Sequence, residues 1–197
     1  PMRISLLPRA IFPALTQISP DYLRRQGIRL LMLDFDNTIV PYTTDTPSPE
    51  MERWLRNLAQ SEIQVCVVSN SKKGRVQAFC SRYGLACITH ARKPFPKGID
   101  QCLKRYGFPP SQCALAGDQI YTDVLGANCA GVYAILVSAI DNHTIWLRLR
   151  HVLELPVIFF AKGRNIQESG QVQVSAGWGS GGPTPHQPLQ PSLCGGV

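Results

Sequence analysis

Between residues 27 and 137, short apolar runs alternate with segments in which apolar side chains recur every three or four positions. The runs "RLLMLDF" (29–35) and "IQVCVVS" (63–69) are too short for helices and suit strands buried on both faces. Between them, "SPEMERWLRNLAQS" sets Met51, Trp54, Leu55 and Leu58 at helical spacing, with Ser48 placed to cap and Pro49 to open the first turn. The alternation continues with a helix over 72–83 stopped by Gly84, a strand over 86–90, and a helix over 97–106 stopped by Gly107. A strand over 113–117, a helix over 121–130 stopped by Gly131 and a last strand over 132–137 complete it. Five strands separated by helices predict a doubly wound parallel sheet, an α/β domain.

Flanking segments divide the 197 residues into an amino-terminal extension over 1–26, the α/β domain over 27–155 and a tail over 156–197. Within that tail, 10 of the 21 residues from Gly177 are Gly or Pro and none is charged, so disorder is expected from about residue 170. Ile145, Leu149, Val152 and Leu153 mark one helix face, with Arg148 and Arg150 away from it. No apolar run reaches the roughly 18–20 residues of a membrane span. Seven cysteines, an odd number with no CxxC pair, indicate neither a disulfide framework nor a zinc knuckle. A cytoplasmic protein is expected.

Charge narrows the partners. All 20 Lys and Arg lie at or before Arg164 with 12 of the 13 acidic residues, a net +8 for that part. Such a balance suits anionic partners, phosphates or an anionic membrane surface among them.

Candidate chemistry sits where strands end, the place where open parallel sheets bind ligands. Asp34 and Asp36 follow the first strand, with Thr38 two positions on; Ser69 and Asn70 follow the second; Asp118 and Asp123 follow the fourth. Lys93 and Lys97 lie on a loop that feeds a helix. Taken singly, Ser69 and Thr38 suit turns, and Asp118 and Asp123 suit helix caps. Asp34 and Asp36 together have no such structural role, because two carboxylates at the end of an apolar strand are costly without a compensating cation.

"DFDNT", "VVSN", "RKP" and "GDQIYTD", in this order at these strand ends, resemble the haloacid dehalogenase (HAD) superfamily of aspartate-nucleophile phosphotransferases. Over residues 6–155 the chain looks like the YqeG-like branch of subfamily IIIA, related to phosphatidylglycerophosphate phosphatases. The resemblance implies Asp34 as nucleophile and Asp36 as general acid and base. It implies Mg²⁺ held by Asp34, Asp118 and the Asp36 carbonyl, with Asp123 orienting metal-bound water or Lys93. Ser69, Asn70, Thr38 and Lys93 would serve the phosphoryl group, with Lys97 as the alternative lysine.

Only 30 residues separate Thr38 from Ser69, and 23 separate Ser69 from Lys93, which leaves no room for a cap domain. An open site favours a phosphate displayed on something large. A lipid phosphate such as phosphatidylglycerophosphate is the substrate expectation, with peripheral contact at the inner membrane surface through basic residues such as Arg3, Arg9, Arg24, Arg25, Arg148 and Arg150. No nucleic-acid partner is expected. Another phosphorylated macromolecule or metabolite, a phospho-accepting receiver domain and an idle HAD-like interaction module stay open as alternatives.

Overall fold

The computed structural model describes residues 4–71 and 73–141. Lys72, Arg3, the helix face around 145–153 and the Gly/Pro-rich tail lie outside the described residues.

In chain order the elements are β1 (Ala10–Phe12), α1 (Pro20–Arg25), β2 (Leu30–Leu33), α2 (Pro49–Ala59), β3 (Gln64–Val68), α3 (Lys73–Tyr83) and β4 (Ala86–Ile88). They continue with α4 (Lys97–Tyr106), β5 (Cys113–Gly117), α5 (Leu125–Ala130) and β6 (Tyr133–Val137). The strands form one sheet in the order β1-β6-β5-β2-β3-β4, with every pairing parallel.

The two-residue alternation of a strand divides the core. Leu31 and Leu33 of β2 face α1, α2 and α3, packing with Leu23, Trp54, Leu58, Val76 and Phe79. Leu30 and Met32 face the other way, with Ile99 and Cys102 of α4 and Ala127 of α5. Both faces are therefore covered, which is why the central strands read as unbroken apolar runs. The caps follow the sequence: Ser48 accepts from the Met51 amide, and Gly107 and Gly131 end α4 and α5 in the left-handed region.

One edge differs from the five-strand expectation, in which residues 1–26 stood as an extension. Ala10–Phe12 pairs with β6 as a sixth strand, and the residues after it pack into the same core. The Trp54 indole donates to the Ile18 carbonyl at 2.8 Å, and Phe12 meets Tyr22 edge to face at 5.1 Å. A three-residue strand is too short to show alternation, and prolines at 8 and 13 mask it as loop. The helix expected over 121–130 is also divided: Ile120–Val124 is a π-turn, closed by a Val124 amide bond to the Gln119 carbonyl at 3.2 Å, and α5 begins after it.

Candidate active site

Because the sheet is parallel, the connections leaving its strands gather on one rim. Among the described residues, the buried charged, amide and aliphatic hydroxyl side chains are Asp34, Asp36, Asn37, Thr38, Ser69, Lys93, Asp118 and Asp123. All eight belong to that rim, beyond the carboxyl ends of β2, β3, β4 and β5. Buried polar groups cost free energy unless they are partnered, and here the partners are one another.

Lys93 is the hub. Its ammonium donates to Asp34 Oδ1 at 2.6 Å and to Asp123 Oδ1 at 2.7 Å. Burial alone would pull its pKa down; Asp123 and Asp34 outweigh that and hold it above the ordinary lysine range. Asp34 moves the opposite way from a usual salt-bridged carboxyl. Burial, opposed by Lys93 and reinforced by the charges of Asp123 and Asp118, raises it from 3.8 to about 7.

Three elements aim these groups. His90 and Arg92 take left-handed backbone conformations ahead of Lys93, and both hydrogen-bonding ends of the Asn70 amide hold the Lys93 backbone: its N–H at 2.7 Å and its carbonyl at 3.0 Å. The π-turn brings Asp123 back over Gly117, where its Oδ2 accepts from the Gln119 amide at 3.0 Å. A Cβ at position 117 would sit 2.3 Å from Asp123 Cγ, so only glycine admits that approach. After β2, Asn37 adopts φ 61 and closes a tight turn by donating its amide to the Val40 carbonyl at 2.7 Å.

Carboxylate oxygens of Asp34, Asp118 and Asp123 lie within 4.8 Å of one another. Thr38 Oγ1 bridges Asp118 at 3.3 Å and Asp34 at 3.4 Å. Three buried carboxylates are thus clustered where a single ammonium pairs with two of them, and hard oxygen donors with excess negative charge fit a divalent cation. Such an ion would also relieve the repulsion that raises Asp34.

Asp36 is separate from this group. Its carboxylate accepts from the Ser71 hydroxyl and pairs with Arg75, whose guanidinium also engages Asp45 and donates to the carbonyls of Pro41 at 2.8 Å and Thr44 at 2.6 Å. Arg75 lies over the Phe35 ring at 5.2 Å as well. A cleft of about 500 Å³ adjoins Thr38, lined among others by Leu15, Ile39, Met51 and Ile140.

Measured against the sequence expectations, the structure brings Asp34, Thr38, Lys93, Asp118 and Asp123 together. Asp123, expected to orient metal-bound water or Lys93, accepts from the Lys93 ammonium and has a carboxylate oxygen within 4.8 Å of those of Asp34 and Asp118, whereas the Asp36 side chain points to Arg75. Ser69 is buried at the end of β3 and accepts from the Ser71 amide at 3.0 Å. Asn70, expected at the phosphoryl group, braces the Lys93 backbone. Of the two candidate lysines, Lys93 is buried among the carboxylates and Lys97 is exposed at the start of α4. Arg75, Ser71, Asn37 and Gly117 were missed. Asn after Asp36 carried a local signal, since Asn tolerates the left-handed region; Arg75 carried none, its role arising from contacts 30 to 40 positions away.

A family model described as a haloacid dehalogenase-like hydrolase matches residues 19–131. "Probable phosphatase YqeG" of Bacillus subtilis is 31% identical over 131 residues, which span 66% of this chain and 76% of that protein. Among solved structures, 3-deoxy-D-manno-octulosonate 8-phosphate phosphatase of Yersinia pestis aligns at 18% identity and a TM-score of 0.46, over 66% of this chain and 74% of that one. The corresponding enzyme of Moraxella catarrhalis aligns at 17% identity and 0.45, over 75% and 99%.

Proposed function

Because the chain belongs to the haloacid dehalogenase-like hydrolase family, we propose that it is a phosphomonoesterase working through a phosphorylated Asp34. The observation that carries this reading is the convergence of Asp34, Lys93, Asp118 and Asp123 in one buried group.

In the first step an Asp34 carboxylate oxygen attacks phosphorus and the bond to the leaving oxygen breaks, while Asp36 gives that oxygen its proton. In the second step Asp36 takes a proton from water, the water oxygen attacks the same phosphorus, and the bond to Asp34 breaks to release inorganic phosphate. Lys93 and Ser69 bind the phosphoryl oxygens, and Lys93 also holds Asp34 in line for attack. Asp34, Asp118 and Asp123 would hold Mg²⁺, which when bound supplies charge neutralisation for the phosphoryl group.

The substrate reading is a lipid phosphate monoester, phosphatidylglycerophosphate being the example that the YqeG-like resemblance suggests. Two features support it: no domain is inserted between Thr38 and Ser69 or between Ser69 and Lys93, and the chain is basic. The corresponding location is cytoplasmic, peripheral at the membrane surface.

Phosphate release from lipid, sugar, nucleotide and peptide phosphates, each with Mg²⁺ and with chelator, tests the proposal. Turnover that needs the metal and is greatest with the lipid phosphate in mixed micelles is expected, together with an acid-stable, base-labile phosphoenzyme on rapid quenching. No phosphate release from any substrate would refute the phosphomonoesterase, and a persistent phosphoprotein without turnover would favour a receiver.

A further inference from the structure

We propose that the catalytic rim itself is the docking surface for an anionic lipid bilayer, formed by Tyr42, Phe95, Tyr121 and Ile140 with the cations Arg92 and Lys97. This deepens the lipid-phosphate reading and rests on it for the choice of partner.

Single exposed apolar residues are ordinary; their placement together is what carries information. Among the described residues the exposed large apolar side chains are Ile4, Tyr42, Phe95, Tyr121 and Ile140. Ile4 precedes β1, and the other four follow β2, β4, β5 and β6, so parallel pairing sets all four on the rim that holds Asp34. Each is tied to the catalytic group through the chain or a hydrogen bond. Phe95 is two residues past Lys93, and Tyr121 is two before Asp123. Tyr42 lies between Pro41 and Thr44, whose carbonyls Arg75 binds while it pairs with Asp36. The Ile140 amide donates to the Asn37 carbonyl at 2.9 Å.

Phe95 is the most prominent, 70% exposed at the tip of "RKPFPK". Pro94 and Pro96 restrict the backbone on both sides, and a Phe95 amide bond to the Arg92 carbonyl at 2.9 Å closes the turn. Arg92 and Lys97, both exposed, flank it. Aromatic side chains beside cations match the layered chemistry of an anionic lipid surface, with rings at the headgroup level and charges toward phosphate.

Of the arginines expected from the sequence as membrane contacts, Arg3, Arg148 and Arg150 lie outside the described residues, and Arg9, Arg24 and Arg25 are not on this rim. Arg9 immediately precedes β1, and Arg24 and Arg25 end α1 just before β2, so they stand at the opposite rim. A four-residue strand, about 13 Å long, separates that rim from Asp34. A bilayer held there would meet the face away from the catalytic group.

The test is co-sedimentation of the full chain with vesicles of phosphatidylglycerol or of phosphatidylcholine, alongside turnover of soluble nitrophenyl phosphate. Wild type should bind phosphatidylglycerol vesicles preferentially, and added salt should weaken but not abolish the binding. Phe95→Ser with Tyr121→Ser should weaken it by about tenfold or more while leaving nitrophenyl phosphate turnover unchanged, and Arg24→Gln with Arg25→Gln should bind like wild type. The proposal is overturned if wild type ignores anionic vesicles, if the Phe95/Tyr121 variant binds as well as wild type, or if that variant only dissolves a self-associated form seen without vesicles. Vesicle binding without lipid-phosphate hydrolysis would support the surface and overturn the substrate reading.

Discussion

Asp34 is a nucleophile candidate whose own environment resists its charge. Its folded pKa, raised by burial to about 7 from 3.8, means that the metal-free protein draws stability from the protonated form. That contribution is full below about 3.8 and is lost as pH rises through about 7. Asp34→Asn is nearly isosteric and cannot ionise. It should reduce turnover to background yet raise the melting temperature of the metal-free protein at pH 8 by a few degrees, with no gain at pH 4; thermal melts at the two pH values check the sign. Arg75 acts on a different carboxylate, holding Asp36 and the loop of Pro41 and Thr44 together. Arg75→Ala should lower kcat roughly ten- to hundredfold for alkyl phosphates and less for nitrophenyl phosphate, whose leaving group needs no proton. Arg75→Lys should recover part of the loss, since it can pair with Asp36 but cannot reach all four acceptors. Equal losses for both leaving groups would show a purely structural role.

At the level of elements, the site depends on how strands end rather than on any one helix. β2 and β5 are continuous apolar runs, and β3 becomes one after Gln64, because both faces are covered, and each stops where polar side chains begin; that change of composition is readable in the chain. The Ser48 cap and the glycines that stop α4 and α5 were equally readable, since capping is local chemistry. β1 was not, because three residues show no period and its pairing with β6 spans more than 120 positions. Nor was the π-turn, which exists to carry Asp123 over Gly117 toward Lys93. Gly117→Ala would drive a methyl group into a carboxylate already committed to Lys93 and the Gln119 amide. The expected cost is about 1–3 kcal/mol of stability together with a fall in kcat, measured by denaturant midpoint and steady-state kinetics. An unchanged midpoint with wild-type kcat would mean that Asp123 is not held as tightly as its contacts imply.

Across the whole molecule, the rim of a parallel sheet concentrates like charges in a region that water barely reaches. Asp34 and Asp123 share one ammonium and Asp118 lies beside them, so a bound cation should stabilise the fold as well as support chemistry. Millimolar Mg²⁺ should raise the melting temperature more at pH 8 than at pH 5, because below about 7 the proton on Asp34 competes with the metal. Asp118→Asn should blunt that rise without abolishing the fold. A metal-induced shift of equal size at both pH values would count against Asp34 as a ligand. No helix among the described residues is long and apolar enough to cross a membrane.

The amino-acid pattern was enough for the alternation of strand and helix, the parallel α/β class and the placement of Asp34, Asp36, Ser69 and Asp118 where strands end. Each of those inferences rests on short-range causes: period, capping, and the cost of charge at the end of an apolar run. Distances and assignments between them came from the fold. Lys93 over Lys97, Asp123 beside Asp118, Asn70 on the Lys93 backbone and Arg75 on Asp36 are all contacts between chain segments 5 to 59 positions apart. Such contacts depend on which strands become neighbours and on how each connecting turn aims its side chains, and neither is encoded in local composition.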